Sequence, residues 1–365
     1  MLRTRILILG LVLIGLVASQ RAQAESSEAA SGETQAAVWL GLIAGPPAGS
    51  ETVLAADMAS LFAPEAPMRV LPMLGDAGAG NIALLLNDPR VDIAFVSTDA
   101  LAAAKNGGVS LAERLELVAR LYPQEIHVLA RAEIGSLADL AGRHVNFGPA
   151  GSGSAITATA LFKALGVEVT KLSLDAGTAI ERLKQGTISA VVIVGGKPSP
   201  VVSGIPANLG IHLLPIPFGA SLEAAYLPTR FEQGDYPNLI QAGGELATVA
   251  TGMVLLAAKA KNDPGSAERV ASFVDTLFPR FAELQASDRH PKWREVNLAA
   301  SLPGFKRTRA AETWLANRPS EAVRPIAASA SAGPAAALPE SLITSKTDKE
   351  ALFKRFIEWR RAKGH

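Results

Sequence analysis

Apolar residues fall into short continuous runs along the chain, and between these runs they recur at helical spacing. The runs Val38–Ile43, Met68–Leu74 and Val91–Val96 predict strands, because each has the length of a buried strand. The stretch that follows residues 45–50 and ends at Phe62 predicts a helix. Asn81–Asn87 predicts a second helix. Strands that alternate with helices are typical of β–α–β units. The pattern therefore predicts a parallel sheet with helices on both faces.

Two further runs, Leu115–Leu121 and Ile126–Ala130, predict strands on either side of Tyr122-Pro123. A second series of the same kind follows them. Its predicted strands are Arg143–Phe147, Lys171–Leu174, Ile188–Val194 and Ile211–Pro215, and its predicted helices are Ser136–Leu140, Ala155–Leu165 and Thr178–Gln185.

The last part of the pattern predicts a return to the first series. A loop-rich stretch is expected to run through Tyr236. The run Thr248–Ala257 predicts a strand that rejoins the first lobe, and Pro264–Leu284 predicts one long helix capped by Asp263 or Ser266. We therefore expect a first lobe of residues 38–130 and 248–318 and a second lobe of residues 131–247, with the chain crossing near 129–133 and 243–251.

The N-terminus has the features of a secretory signal. Arg3 and Arg5 precede the 12-residue apolar segment Ile6–Val17, and Ala22-Gln23-Ala24 has the small-x-small form of a cleavage site. Twelve helical residues span only about 18 Å, which is short of a ~30 Å hydrocarbon core. We expect residues 1–24 to be a signal peptide cleaved after Ala24, with an uncleaved anchor as the alternative.

The C-terminal tail is predicted to contain a linker and a basic helix. Residues 319–345 are rich in Ala and Pro, which is typical of a linker. Residues 346–365 hold seven basic and three acidic residues, and a helix over 348–359 would place Leu352, Phe353, Phe356 and Ile357 on one face. Such a helix either packs on the body of the protein or docks on a partner or membrane surface.

Composition excludes several classes of function. The chain of 365 residues has a net charge of +1, and loss of Arg3, Arg5 and Arg21 with the signal peptide lowers it to −2. A near-neutral protein without a basic stripe is a poor nucleic-acid binder. The absence of cysteine excludes disulfides and thiolate chemistry, and the five histidines form no HExxH-like pair. We expect neither a metal nor a cofactor, and export without cysteine suits a bacterial periplasm.

Residues Phe147–Ser154 form the sharpest local motif, a strand that leads through a glycine-rich turn into a helix. Free N–H groups at a helix N-terminus favour bound anions, so this loop offers a seat for a carboxylate or phosphate. A serine-capped helix is the alternative. The loop fits neither a Walker A nor a dinucleotide fingerprint, and Ala150 stands where a nucleophile elbow needs glycine.

Other polar loops also follow strands, and ligands of open α/β sheets bind beyond the carboxyl ends of the strands. Each candidate has a cap, turn or solvated role as its alternative. The candidate ligand-binding residues are Gly45, Ser50, Asp76, Gly78, Ser97, Thr98, Asp99, Gly151, Ser152, Gly153, Ser154, Gly195 and Lys197. The Lys197 ammonium would attract a ligand carboxylate. No residue is predicted to be catalytic, and His290–Trp293 and Trp314 are expected to anchor C-terminal helices.

Several motifs combine into a resemblance to a known family. The segments that carry it are Val91–Ala94 (a "vDia" strand), Leu121–Val128 (a crossover segment), Ser136–Val145 (a "sladLkGkrV" signature), Gly148–Ser154 (a "GppGSGt" loop), Gly195–Pro198 and Arg289–Trp293. Together they resemble the TAXI-type solute receptors of TRAP transporters, within the type II periplasmic binding proteins. The likeness covers roughly residues 38–318.

The resemblance implies an α/β, two-lobed periplasmic-binding-protein type II fold. Each lobe would be a mostly parallel sheet flanked by helices, with a ligand cleft at the hinge. The implied function is capture of a small carboxylate or amino-acid-like solute by lobe closure, followed by delivery to the membrane subunits of a TRAP-type transporter. The receptor would be periplasmic and monomeric.

The first two loops depart from the family pattern. Residues 45–52 lack the usual aromatic residues, and Gly75-Asp76-Ala77-Gly78 has an acid but no serine. A carboxylate repels an anionic ligand unless it receives an ammonium group. We therefore predict that Asp76 receives a cationic group of the solute, or that the pocket has drifted from the family ligand.

Two alternatives remain open at this point. The protein could instead be a periplasmic sensory or accessory binding protein whose basic tail docks a signalling or membrane partner. It could also be an exported α/β enzyme, although the chain has no nucleophile elbow, metal cluster or cofactor fingerprint. We expect a binding protein rather than an enzyme.

Overall fold

The predicted alternation of strands and helices is present in the computed structural model of the chain. The structure describes residues 37–317 apart from 48, 63–65, 107–109, 224 and 260–262. The predicted signal peptide, linker and basic C-terminal helix lie outside the described residues. The described strands are β1 Val38–Ile43, β2 Met68–Met73, β3 Ile93–Ser97, β4 Leu115–Arg131, β5 His144–Asn146, β6 Thr170–Leu172, β7 Ala190–Gly195, β8 Ile211–Leu213, β9 Leu227–Glu232 and β10 Glu245–Ala258.

Helices follow most of these strands. The described α-helices are α1 Ser50–Ser60, α2 Ala79–Asn87, α3 Thr98–Asn106, α4 Leu111–Arg114, α5 Gly153–Ala164, α6 Ala176–Lys184, α7 Pro200–Ser203, α8 Ser266–Leu277, α9 Phe281–Leu284 and α10 Arg309–Ala316. Short 3₁₀ helices cover Ala138–Leu140 and Pro291–Glu295. Within the described residues, every helix is too short or too polar to cross a membrane.

The strands form one mixed sheet with the order β2-β1-β3-β10-β4-β7-β5-β6, while β8 pairs with β4 and β9 pairs with β10. On one side β1 is parallel to β2 and β3, and on the other side β5 is parallel to β6 and β7. The central strands β10 and β4 are antiparallel to each of their neighbours. The predicted α/β fold class is confirmed.

Two long strands connect the two sides of the sheet. We call β1–β3 with their helices the first half and β5–β9 with their helices the second half. β4 pairs with β10 at its start and with β7 and β8 at its end, whereas β10 pairs first with β9 and then with β3. The chain therefore passes to the second half along β4 and returns along β10. The lobe boundaries expected from the sequence stay a prediction.

Each half buries apolar side chains on both faces of the sheet. Leu42 and its neighbour Ile43 belong to different buried clusters, and so do Ala190 and Val191. This separation follows from the two-residue period of a strand, which directs successive side chains to opposite faces. Continuous apolar runs thus specify strands that are covered by helices on both sides.

The chain around Pro123 differs from its prediction. β4 is one strand, whereas the sequence pattern predicts two strands on either side of Tyr122-Pro123. Proline lacks an N–H group and normally interrupts a central ladder. Pro123 lies opposite Gly252, and the register shifts between Gly252 and Val254. The missing donor therefore falls at an irregularity, and the strand continues through it.

The predicted helix Pro264–Leu284 is also wrong in one respect, because it is divided into α8 and α9. α8 ends at Leu277, and α9 covers Phe281–Leu284. Pro279 lies between them and explains the interruption. Proline removes a helical hydrogen bond and disfavours the helical conformation of the residue before it.

The expected caps of this helix are wrong as well. Gly265 occupies the N-cap position of α8, and no side chain caps the helix. The Ser266 hydroxyl donates a hydrogen bond to Asp92 at 2.6 Å, and the Asp263 carboxylate pairs with Arg269. The Ser266 hydroxyl is thus engaged in a tertiary contact, whereas the Asp263 carboxylate binds locally, to Arg269 of the same helix and to the Gly265 amide at 3.1 Å.

β9 lies in the stretch that the sequence pattern predicts to be loops. Of its six residues only Phe231 is buried, and Pro228 and Arg230 interrupt any apolar pattern. β9 pairs antiparallel with the start of β10 over Glu245–Ala250. Its strand conformation therefore comes from this pairing, which the local sequence does not reveal.

Candidate functional site

The loops that follow β2 and β5 meet at the boundary between the two halves. The Gly153 amide donates a hydrogen bond to the Asp76 carbonyl at 2.9 Å, and the Ala79 amide donates to the Gly151 carbonyl at 3.3 Å. A Cβ atom on Gly78 would lie 2.6 Å from both the Gly151 carbonyl oxygen and the Gly153 nitrogen. Glycine at position 78 is therefore required for this close approach.

The predicted anion seat at the start of α5 is used by protein atoms in this structure. Gly151 has a φ of 80°, which allows the turn into the helix. The Ser152 hydroxyl caps α5 by accepting a hydrogen bond from the Ala155 amide at 3.2 Å. The Ser154 hydroxyl accepts from the Val194 amide at 3.3 Å. The serine-capped helix, which is the alternative at the sequence level, is present here.

Asp76 shapes the loop before α2. Its carboxylate accepts hydrogen bonds from the amides of Gly78, Gly80 and Asn81 at 2.8, 3.2 and 3.2 Å. A carboxylate at a helix N-terminus is stabilised by these free N–H groups and by the helix dipole. The structure thus gives Asp76 a capping role, and its predicted contact with a cationic solute stays a prediction.

Ser97 and Thr98 lie at the end of β3 and also have partners within the protein. The Ser97 hydroxyl accepts a hydrogen bond from the Ala100 amide at 3.2 Å. The Thr98 hydroxyl is 3.0 Å from that of Thr251 and accepts from the Gly252 amide at 3.1 Å. Thr98 therefore ties the first half to β10, one of the two connecting strands.

Asp99 has one satisfied and one unsatisfied carboxylate oxygen. Its Oδ1 accepts a hydrogen bond from the Thr251 hydroxyl at 2.8 Å, whereas its Oδ2 has no partner among the described residues. The Thr157 hydroxyl of α5 is buried beside this carboxylate. Burial raises the pKa of Asp99, and the hydroxyls of Thr157 and Thr251 oppose this shift.

Ser50 and Gly195 join the halves at a second point. The Ser50 hydroxyl donates a hydrogen bond to the Gly196 carbonyl at 3.1 Å, and a Cβ atom on Gly195 would lie 3.1 Å from that hydroxyl. Gly45 contacts the neighbouring loop, because its carbonyl accepts from the Gly75 amide at 3.0 Å. The structure therefore brings these candidates to the same boundary as Gly78, Gly151 and Gly153.

Lys197 has protein partners where the sequence predicts a ligand carboxylate. Its Nζ lies 3.0 Å from an Asp235 carboxylate oxygen and donates to the Arg230 carbonyl at 2.7 Å. Its backbone amide donates to a Glu125 carboxylate oxygen at 3.1 Å. The ammonium group is thus engaged within the second half.

A buried polar cluster lies beneath these loops, and its members are absent from the candidates that the sequence provides. Glu51, the second residue of α1, is 2% exposed and accepts a hydrogen bond from the Gln124 side-chain amide. Cβ atoms on Gly45 and Gly49 would lie 2.7 and 2.5 Å from its Oε2, so both glycines make room for this carboxylate. Burial raises the pKa of Glu51 to about 7.

The same cluster contains a buried ion pair. The Lys292 ammonium is 2.6 Å from Glu125 and 2.8 Å from Glu295. Lys292 and Glu125 are almost completely buried. Burial raises the pKa of Glu125 to about 7, and the positive charge of Lys292 opposes the shift. The segment His290–Trp293, predicted only to anchor C-terminal helices, therefore also places a charge in the cluster.

Tyr122 completes the cluster with a hydroxyl that has no partner among the described residues, although the side chain is buried. Burial and the negative charges of Glu51 and Glu125 raise the tyrosine pKa well above its usual value. The sequence signal for this cluster is the polar pair Gln124-Glu125 between two apolar runs of one strand. Polar residues in such a position are buried and need partners.

Two clefts on the surface lie away from this boundary. These clefts of about 570 and 670 Å³ on the described surface lie beside α8, and neither is lined by a candidate residue. Within the described residues, no group of three or more His, Asp or Glu side chains is arranged to hold a metal ion.

The chain is similar in fold to several solved structures. One is the periplasmic binding protein BugD, with 13% identity, 76% of this chain and 92% of that chain covered, and a TM-score of 0.45. Others are the alkanesulfonate-binding protein SsuA from Xanthomonas axonopodis pv. citri bound to MOPS (17% identity, 78% and 85% covered, TM-score 0.41) and a TctC solute-binding protein from Polaromonas without ligand (17%, 67% and 88%, 0.37).

A known family matches the sequence over most of the chain rather than at a single motif. The match covers residues 44–303, which include both connecting strands, β2 and β3 of the first half, every strand of the second half and every candidate residue. Because this is more than half of the chain, the protein belongs to the NMT1-like family.

Proposed function

We propose that the protein is an exported solute-binding protein that captures a small molecule between the two halves of its sheet. The observation that carries the proposal is the boundary itself. Loops from the carboxyl ends of strands in both halves meet there, and buried polar groups that lack partners among the described residues, such as the Tyr122 hydroxyl, lie beside them. Ligands of α/β sheets bind beyond the carboxyl ends of the strands.

Opening and closing would occur about the two connecting strands. Bending of β4 and β10 separates the halves while leaving each buried core intact, which is the usual form of hinge motion. A solute that contacts both halves stabilises the closed arrangement by its higher affinity for it. In this proposal the lobes have the boundaries expected from the sequence, 38–130 with 248–318 and 131–247.

The chemical class of the solute and the identity of the partner are more specific parts of the proposal. The TAXI-type resemblance of residues 136–154 supports a small carboxylate or amino-acid-like cargo and delivery to the membrane subunits of a TRAP-type transporter. The signal-like N-terminus supports a periplasmic location. Family membership supports a solute-binding protein but extends beyond TAXI-type receptors, so a sensory or accessory role of the same binding site is the second candidate.

A thermal-shift screen tests the proposal. Protein that begins at Glu25 is unfolded, stripped of bound molecules and refolded, then mixed with amino acids, dicarboxylates, 2-oxo acids and small cationic solutes. A ligand at 100 times its dissociation constant stabilises the folded state by about 2.7 kcal/mol, which raises the Tm by several degrees.

Paired variants locate the site. We expect Gly195→Val to abolish the Tm increase, because its side chain would occupy the space against Ser50. Gly219→Val is the matched control, since a Cβ atom there meets nothing within 4 Å. If folded protein shows no stabilisation by any solute, the proposed function is wrong. If Gly195→Val binds as well as the wild type, the site lies elsewhere.

A further inference from the structure

The charges at the boundary between the halves are unequally compensated. Lys292 and Lys197 each pair with a carboxylate of the protein. Glu51 and Asp99 are largely buried, yet neither forms an ion pair with any described residue. The uncompensated groups at this boundary are therefore acidic. A buried carboxylate is costly unless a proton or a cation compensates its charge.

Glu51 is the better placed of the two acids to contact a solute. It lies in the first turn of α1, next to Ser50, whose hydroxyl contacts the second half. Its Oε2 packs directly against Gly45 and Gly49, so the carboxylate lies at the loop that follows β1. Its described side-chain partner is the neutral amide of Gln124.

The Tyr122 hydroxyl is a second, independent observation at the same place. Tyr122 lies two positions before Gln124 on β4 and packs against Gly196, whose carbonyl accepts from Ser50. Its hydroxyl is buried and has no hydrogen-bond partner among the described residues. A buried hydroxyl without a partner is unfavourable, and a bound polar group is one way to satisfy it. Glu125 and Glu295 share the Lys292 ammonium, whereas Glu51 pairs with no cation among the described residues.

We propose that the solute carries a cationic nitrogen, an ammonium or a guanidinium, and that the Glu51 carboxylate and the Tyr122 hydroxyl receive it. This inference rests on the proposed function and names the class of its solute. It transfers the cationic contact predicted for Asp76 to a different acid, because the Asp76 oxygens cap α2.

Binding of such a solute is linked to a proton. The groups that face Glu51 are Gln124 and Tyr122 of β4, with Glu125 and Lys292 next to them. Because burial raises the pKa of Glu51 to about 7, a part of its carboxyl groups carries a proton at pH 7. A cation that binds the carboxylate displaces that proton.

Isothermal titration at pH 7 tests the inference. The probes are L-arginine and putrescine as cations, L-citrulline as a zwitterion of no net charge that lacks the guanidinium, and succinate and glutarate as anions. We expect a cationic probe to bind, and Glu51→Gln to raise its Kd at least about tenfold, since hydrogen bonds to charged groups contribute about 1.5–3 kcal/mol. Tyr122→Phe should raise the Kd about threefold or more, whereas the exposed control Glu133→Gln should leave it unchanged.

Titration in two buffers of different ionisation enthalpy measures proton release. The wild type should release more protons than Glu51→Gln on binding the cation, because the bound cation displaces the proton of Glu51. Binding of an anionic or neutral probe with the same Kd in the wild type and Glu51→Gln would overturn this inference and leave the proposed function intact. If no probe of any class binds folded protein, the proposed function fails together with the inference.

Discussion

A Cβ atom on Gly78 would lie 2.6 Å from the amide nitrogen of Gly153. Gly78 belongs to the first half of the sheet and Gly153 to the second, so the two glycines mark a point where the backbones of the halves touch. The Gly153 amide donates to the Asp76 carbonyl at the same point. The contact between the halves therefore depends on the absence of a side chain at position 78.

Gly78→Ala is expected to weaken this contact. The added methyl group meets backbone atoms, which cannot move aside as a flexible side chain can, and such overpacking typically costs about 1–3 kcal/mol. We expect a lower Tm and a larger radius of gyration in small-angle scattering, because the halves are forced apart. Gly219→Ala is the control, since a Cβ atom there meets nothing within 4 Å. Equal Tm values for the two variants would contradict this prediction.

The sequence predicts those parts of the fold that depend on local pattern. Val38–Ile43 has the same bounds in the prediction and in the structure, because it is an apolar run that ends at a Gly-Pro turn. β9 is different, since its conformation depends on pairing with β10. The continuity of β4 through Pro123 likewise depends on a register irregularity in the opposite strand. Features that depend on tertiary pairing in this way cannot be predicted from the local sequence.

In the candidate site, too, the local sequence predicts the loops but not the tertiary contacts of their side chains. Loops such as Gly148–Ser154 are recognisable because glycine and serine after a strand are typical of a turn into a helix. The partners of their polar groups are not recognisable, since Ser154 contacts Val194 across 40 positions of sequence. Glu51 escapes recognition for a similar reason. An acid in the first turn of a helix is typical of an exposed residue at the helix N-terminus, and only the packing of α1 against β4 buries it.

Asp92 is expected to be essential for stability. It is buried, and its carboxylate accepts hydrogen bonds from Arg269 at 2.7 and 3.0 Å, from Ser266 and from the Gly41 amide. Removal of one partner of a buried ion pair typically costs about 3–5 kcal/mol. We expect Asp92→Ala to lower the free energy of unfolding by that amount in urea denaturation.

A matched pair on the surface provides the comparison for Asp92. The Glu181 side chain is 62% exposed and pairs with Lys184. Glu181→Gln should change stability little, because exposed ion pairs contribute little. A small effect of Asp92→Ala, similar to that of Glu181→Gln, would show that the network around Arg269 is not a source of stability.

Stability should fall with rising pH because of Glu51. Its pKa is about 7 in the folded protein against 4.5 for an unperturbed glutamate, so the folded state holds the proton more tightly than the unfolded state. The stabilisation is therefore fully present below pH 4.5 and is lost as the pH rises through about 7. A shift of this size corresponds to about 3 kcal/mol.

Glu51→Gln isolates this contribution, because the variant retains Glu125 and the other titrating groups. We expect its stability relative to the wild type to increase by about 3 kcal/mol between pH 4.5 and pH 8, as measured by urea denaturation. If the difference between the two proteins is the same at both pH values, Glu51 does not change its protonation in this range.

Substitution of Lys197 distinguishes a structural role of its ammonium group from a contact with the ligand. Its ammonium lies 3.0 Å from Asp235, and both side chains are less than one-fifth exposed. Lys197→Met keeps much of the apolar stem but leaves Asp235 without its cation, which should cost about 1–3 kcal/mol of stability. The Kd for the solute should stay within about twofold of the wild-type value, because the ammonium group is directed at protein atoms. Wild-type stability combined with a tenfold loss of affinity would instead establish Lys197 as a ligand contact, as the sequence predicts.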